Sequence, residues 1–301
     1  MKTAPCIIFL TLLTGAVLMS AGPSRAEKRI IIGGKNFTEQ YILPEMAALL
    51  LEKSGFQVEL RTGVGSTLLR KSLENGQVDL YFEYTGTAYT VYLKQKDREV
   101  MTDSDRVFEY VKETDARIGL VWLDRLGFNN TYTLMMRQSK AAGLKLASIS
   151  DLASYVGGRP QALLFGMNAE FWERPDGFKQ VMRTYGFRVP LDQVKKMATG
   201  LCYTALKEGQ TDVSMGFSTD GRIAAFGFVN LKDDRRVFPV YNPAPVARRE
   251  VAERWPEIER VLSPLSALTT REMQEINKSV DVDKLPARKA AKDWLERQGL
   301  P

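Results

Sequence analysis

The sequence predicts an α/β protein of two similar lobes, joined by two chain crossings with a ligand cleft between them. Three observations predict it. Residues 73–87 (LENGQVDLYFEYTGT) are echoed 133 positions later by residues 206–220 (LKEGQTDVSMGFSTD), which aligns Leu73 with Leu206, Gly76 with Gly209, Gln77 with Gln210, Asp79 with Asp212, Tyr84 with Phe217 and Thr85 with Ser218. A second pair, residues 55–60 (GFQVEL) and 186–191 (GFRVPL), precedes it in the same order at an offset of 131. Two segments, 127–132 and 237–241, stand where the chain would pass between lobes. Ordered echoes nearly in register point to a duplicated unit. In each unit an apolar helix tail stops at a glycine, a short strand follows over 78–81 or 213–216, and the next turn carries an aromatic and a hydroxyl. Ligands of open α/β sheets sit beyond the carboxyl ends of strands, so Tyr84 and Phe217 are expected at equivalent places facing one cleft.

Taken in order, residues 29–32 are a β-branched run before Gly33 and Gly34, a first strand. A helix begins within 35–40, where Asn36 and Glu39 have capping-box spacing. Pro44 either starts its regular part or kinks it, and Met46, Leu49 and Leu50 recur at helical spacing. A second strand is expected over 58–61. The glycine-rich turn 63–66 opens a helix over 67–73 and faces the ligand; it lacks any phosphate fingerprint. Helices follow over 88–94 and 104–114, the latter with Val107, Tyr110 and Val111 on one face, then a strand over 118–123. Residues 127–132 lead into an extended run at 133–137. The second lobe opens with a helix near Ser150 and Asp151, a strand over 162–165, and a loop over 171–177 before a helix at 178–185. Residues 237–241 are expected to return as a strand. Helices close the chain over 250–262, 270–278 with Thr269 and Glu272 as a capping box, and 286–297 with Pro286 in its first turn.

The chain has 301 residues, 44% hydrophobic and 26% charged, enough for two domains. Lys2, an apolar run over 7–17 and the small-x-small triplet Ser24-Arg25-Ala26 make residues 1–26 a cleavable signal peptide, and imply a secreted, periplasmic protein. Cleavage takes Lys2 and Arg25 from the 42 basic residues, leaving 40 against 36 acidic ones and a net charge of +4. No basic run with interleaved aromatics supports nucleic-acid binding. Cys202 is then the one cysteine, read as a small buried hydrophobe. The sequence contains no histidine, which removes Ser-His-Asp and Cys-His nucleophile systems and histidine metal sites. No enzyme, cofactor or metal is expected.

The motifs KNFTEQ (35–40), EYTGT (83–87), GFNNTY (127–132), FWERPDG (171–177), STDG (218–221), Asp233-Asp234 and FPVY (238–241) occur in the order seen in one family. The chain resembles the substrate-binding proteins of osmoprotectant-type ABC importers, which take up glycine betaine, choline, carnitine or proline betaine. The resemblance implies a type II periplasmic-binding-protein fold, with one lobe over 27–131 and 242–301 and the other over 132–241. It implies a monomeric receptor that hands a small quaternary amine to an ABC permease of the inner membrane. By motif position, the aromatic box around the ammonium falls on Tyr84, Tyr132, Phe217 and Tyr241, where the family often has Tyr in place of Phe217. The groups for a ligand carboxylate fall on Lys35, Thr87 and Arg174, although Arg174 could instead pair with Asp176. Trp172 and Tyr203 are read as packing or as further cleft lining.

The chemistry of the residues agrees. A trimethylammonium has charge but no N–H to donate, so ring faces suit it, each contributing roughly 0.5–2 kcal/mol when desolvated. A carboxylate end suits Arg or Lys. Competing readings are a binding protein for another small solute such as an amino acid, or a ligand sensor for a membrane receptor.

Overall fold

The strand-end rule that singles out Tyr84 and Phe217 can be followed in the computed structural model, which describes Met1 and residues 28–159 and 161–300. Apart from Met1, the expected signal peptide lies outside the described residues. In chain order the strands are β1 (Lys28–Lys35), β2 (Phe56–Val64), β3 (Leu80–Tyr84), β4 (Leu120–Trp122), β5 (Tyr132–Arg137), β6 (Phe165–Met167), β7 (Val194–Lys196), β8 (Val213–Phe217), β9 (Phe228–Asn230) and β10 (Pro243–Arg248). They form two five-stranded sheets, β2-β1-β3-β10-β4 and β7-β6-β8-β5-β9. In each, the first three strands are parallel and the last two pairings antiparallel. The two orders superimpose, β3 on β8 and β10 on β5, so the duplication is real and each lobe is a mixed α/β sheet. β3 is buried along its whole length, as expected of a strand covered on both faces.

The echoed residues explain themselves physically. Gly76 and Gly209 both take positive φ, 71° and 75°, where a side chain is strained. Asp79 accepts from the Ile31 N–H (2.8 Å) and from Arg248 Nη2 (2.6 Å). Asp212 accepts likewise from the Leu164 N–H (2.9 Å) and from Arg137 Nη2 (3.4 Å). Each aspartate thus ties the start of its own strand to the neighbouring strand and to the arginine ending the antiparallel strand. The hydroxyl pair serves the crossings. Thr85 Oγ1 donates to the Val240 carbonyl (2.9 Å), and Ser218 Oγ to the Asn129 carbonyl (3.2 Å). The crossings also hold one another, with Asn130 N–H on the Tyr241 carbonyl (3.0 Å) and Tyr241 N–H on Asn129 Oδ1 (2.8 Å).

Several expectations are corrected. The first helix is Glu39–Lys53 with Thr38 at its N-cap and no side-chain cap; Glu39 turns into the cleft instead of back onto Asn36. Pro44 lies inside this helix, and the Gln40 carbonyl it leaves free faces Gly34, where a Cβ would stand 2.4 Å away. Tyr84 and Phe217 end their strands and do not sit in the following turn. After Thr85–Thr87, residues Ala88–Tyr92 widen into a π-helical turn. The strand expected over 162–165 is Phe165–Met167. The loop expected over 171–177 begins as a helix, Ala169–Glu173, capped by Asn168. In the second echo, β2 starts at Phe56, whereas β7 waits until Val194 because Pro190 has no N–H for a ladder and a 3-10 turn follows. Residues 237–241 form no strand: the N–H groups of Val237 and Phe238 go to Asp233 and that of Tyr241 to Asn129, while Pro239 has none. Pro256 splits the expected helix 250–262 into Arg249–Arg254 and Glu257–Leu262. The Thr269–Glu272 capping box is present at the helix Thr270–Asp281.

Candidate functional site

The sheets' carboxyl ends face each other across the cleft, and the residues there close on one cavity. Lys35, Asn36, Phe37, Ser66, Tyr84, Thr87, Asn130, Tyr132, Asn168, Glu170, Arg174, Thr199, Phe217 and Tyr241 line it. All seven residues singled out from the sequence are therefore brought together. Tyr84 ends β3, Phe217 ends β8, Tyr132 opens β5 directly opposite Phe217 in the ladder, and Tyr241 precedes β10. The cavity measures about 30 Å³, room for one or two water molecules. The rings touch one another: Tyr132 lies 5.1 Å from Phe217 and 5.6 Å, edge to face, from Tyr241. The lobes must part before a solute the size of a trimethylammonium enters.

Phe37 belongs to the same wall and was missed from the sequence. Its ring stacks on Phe217 across the cleft at 5.0 Å and sits 6.1 Å from Tyr84. The signal was available: Phe37 lies just past the carboxyl end of β1, the position that singled out Tyr84. The ligand-facing turn expected at 63–66 contributes Ser66. Trp172 and Tyr203 do not line the cavity. Tyr203 stands behind it, its hydroxyl accepting from the Phe217 N–H at 2.9 Å. Cys202 is buried, and burial pushes its thiol up to about 12.

Apart from Glu170, which is about a third exposed and pairs with Arg174 Nη1 at 3.2 Å, the charges at the site are buried, and nearly every one is paired. Lys35 Nζ meets Glu83 Oε1 at 2.5 Å and stands 5.0 Å from the centre of the Tyr84 ring. Arg174 forks onto Asp176 through Nε (2.8 Å) and Nη2 (2.6 Å), and Nη2 also reaches Thr87 Oγ1 (3.3 Å). Its guanidinium carbon lies 5.4 Å from the Tyr132 ring centre and 5.9 Å from that of Tyr241. So Arg174 does pair with Asp176, and it also stands beside the rings. Burial works against the Asp176 charge, but Arg174 outweighs it and holds the carboxyl below its ordinary value. Burial, reinforced by Glu39 at Tyr84 and by Asp176 at Tyr241, raises both phenols well above the usual range; burial raises Tyr132 too. The rings face the cavity as neutral phenols.

Glu39, expected to cap a helix, is instead a fully buried carboxylate. It accepts from Tyr84 Oη (2.6 Å), Thr219 Oγ1 (2.7 Å), Asn130 Nδ2 (3.0 Å) and Asn277 Nδ2 (3.5 Å). Burial raises its pKa, and these hydrogen bonds recover only part of the shift. Its Thr219 bond crosses the cleft. So do Gln274 Nε2 to the Ser218 carbonyl (2.9 Å), Asn277 Nδ2 to the Thr219 carbonyl (2.9 Å) and the Arg222–Asp281 ion pair (3.2 Å). On the opposite rim Thr90 Oγ1 and Tyr241 Oη donate to Asp176 Oδ2, at 2.7 and 2.6 Å.

Among the described residues, no group of three or more His, Cys, Asp or Glu is placed to hold a metal, and no helix is long and apolar enough to cross a membrane. Residues 28–297 match the family described as the substrate binding domain of the ABC-type glycine betaine transport system. The chain is 40% identical over 291 residues to a glycine-betaine-binding protein of Pseudomonas aeruginosa, spanning 95% of this chain and 92% of that protein. It is 32% identical to the glycine betaine-binding protein YehZ of Escherichia coli, over 96% of this chain and 98% of that one. A crystal structure described as a glycine betaine/carnitine/choline ABC transporter aligns with a TM-score of 0.72 at 29% identity, covering 91% of this chain and 98% of that one. The fold is accordingly the two-lobed type II periplasmic-binding architecture.

Proposed function

The chain belongs to the substrate-binding domain family of ABC-type glycine betaine transport systems, and from that premise we propose that it captures glycine betaine or a close quaternary amine and delivers it to an ABC permease. We assign one lobe to 27–131 with 242–301 and the other to 132–241. We assign Tyr84, Tyr132, Phe217 and Tyr241, joined by Phe37, to the ammonium, and Lys35, Thr87 and Arg174 to the carboxylate. The protein acts outside the cytoplasm as a monomer after loss of residues 1–26, without cofactor, metal or nucleic acid.

One observation carries the reading: rings and cations from both lobes line a single buried cavity, with a guanidinium within 6 Å of two ring centres. A betaine separates its two charges by one methylene, so its ammonium and carboxylate need ring faces and a cation side by side. Choline offers no anion to Arg174 and fits less well. An amino acid with N–H donors would call for a carboxylate acceptor, yet Glu83 is committed to Lys35, and Asp176 and Glu170 to Arg174. Ligand contact with faces from both lobes stabilises the closed form, because only that form presents all of them.

Calorimetric titration with glycine betaine, carnitine, proline betaine, choline and proline tests this. Glycine betaine should bind with a Kd of about 1 μM, roughly 8 kcal/mol, choline more weakly, and proline weakest. If no quaternary amine binds, the reading is wrong.

A further inference from the structure

Glu39 differs from the other buried carboxylates around the cavity. Glu83 has Lys35, and Asp176 has Arg174. The groups that bond Glu39 are all neutral: the Tyr84 and Thr219 hydroxyls and the Asn130 and Asn277 amides. Beyond them the charged groups are paired among themselves, Lys35, which stands over the Tyr84 ring, with Glu83, and Arg222 with Asp220 and Asp281 beyond Thr219 and Thr38. Four donors aim at the two Glu39 oxygens, the pattern of an ionised carboxylate, and a buried charge without a counterion is costly. A hydrophobic or neutral side chain could hold the lobes together at lower cost, so the charge itself calls for an explanation.

Two features point it at a cation in the cavity. Tyr84, which lines the cavity, donates a short hydrogen bond from its hydroxyl to Glu39 (2.6 Å) and accepts a longer one from Gln40 Nε2 (3.1 Å). A phenol that donates to a carboxylate gains electron density, and its ring face becomes more attractive to a cation. Asn130 also lines the cavity; its Nδ2 is held by Glu39, while its Oδ1 is buried with no donor. That orphan oxygen suits the polarised methyl C–H groups of a quaternary ammonium. In a low-dielectric cleft, Glu39 also attracts a cation directly at longer range.

We propose that Glu39 is a positioning and charge-selecting residue, acting through Tyr84 and Asn130 so that the site favours a permanently cationic head over a neutral one of the same shape. This rests on the quaternary-amine reading and names the residue behind its selectivity. The ligand's ammonium is the counterion Glu39 otherwise lacks.

The test compares glycine betaine with 3,3-dimethylbutanoate, in which carbon replaces the ammonium nitrogen and the carboxylate is kept. In calorimetry, Glu39→Gln should weaken glycine betaine about tenfold, and should leave 3,3-dimethylbutanoate unchanged or tighter, since a negative charge that repels an anion is gone. Equal losses for both would mean that Glu39 only latches the lobes, and would overturn the proposal; so would an unchanged affinity for glycine betaine. Should Glu39→Gln not fold, Tyr84→Phe keeps every ring and cuts the link, and must again cost glycine betaine more than its isostere, an equal cost overturning the role. If the unsubstituted protein binds no quaternary amine, the family reading of the ligand fails first and this inference with it.

Discussion

Tyr84 and Tyr241 each do two things: they line the cavity and donate a hydrogen bond to a buried carboxylate, Glu39 or Asp176. Replacing either by alanine should cost at least ~1 kcal/mol of glycine betaine binding, read by calorimetry; unchanged binding would remove the box assignment. Phe37→Ala should lose a comparable amount, since its ring closes the side that Phe217 stacks on. Arg174→Ala should reduce glycine betaine affinity more than choline affinity, because only the former has a carboxylate for the guanidinium. An equal reduction would show that the damage comes from stranding Asp176 and not from a lost ligand contact.

At the scale of elements, the turn after β8 is gripped by the helix Thr270–Asp281. Gly221 there has φ −66°, open to any residue, so its lack of a side chain serves space and not conformation. A Cβ would lie 2.4 Å from Lys278 Cβ and 2.7 Å from the Gln274 carbonyl. Gly221→Ala should therefore hold the lobes apart, weakening glycine betaine about tenfold while leaving the ligand-free Tm within a few degrees; small-angle scattering with saturating ligand should show a less compact particle. A normal affinity would mean that the clamp is not part of closure. The capping box of the same helix is a stability element only: Thr269→Ala should cost about 1 kcal/mol in denaturant unfolding and leave ligand affinity alone.

For the whole molecule, two buried carboxylates give opposite pH responses. Asp176 has a depressed folded pKa, so its contribution is present above its unfolded value of 3.8 and lost as pH falls through the folded one. Glu39 has a raised pKa against an unfolded value of 4.5. The folded state then binds its proton more tightly than the unfolded state, so stability drops as pH rises from 4.5 through the folded pKa. The difference in Tm between Glu39→Gln and the unsubstituted protein should shift in favour of the variant over that rise and be flat below it; a flat difference throughout would show that Glu39 is not titrating as described. Ligand works in the other direction, and glycine betaine at a hundredfold its Kd should add about 2.7 kcal/mol.

Much of this molecule is determined by sequence alone. The echo of residues 73–87 at 206–220 was legible because the helix stop at glycine and the aspartate that ties strand to strand are local requirements, met by the same residue types in both lobes. That the seven expected site residues would line one cavity was legible through motifs, of which Lys35, Tyr84 and Phe217 end strands and Tyr132 opens one, and the Thr269 cap through a fixed spacing. Tertiary structure alone decided the rest. Residues 237–241 look like a strand by composition, yet their N–H groups go to Asp233 and Asn129, partners no local pattern reveals. Glu39 looks like a cap because spacing along a helix says nothing of what lies across a cleft. Which carboxylates find a cation and which is left with neutral donors depends on bringing residues 39, 84, 130, 219 and 277 to one point, and only the packing of two lobes does that.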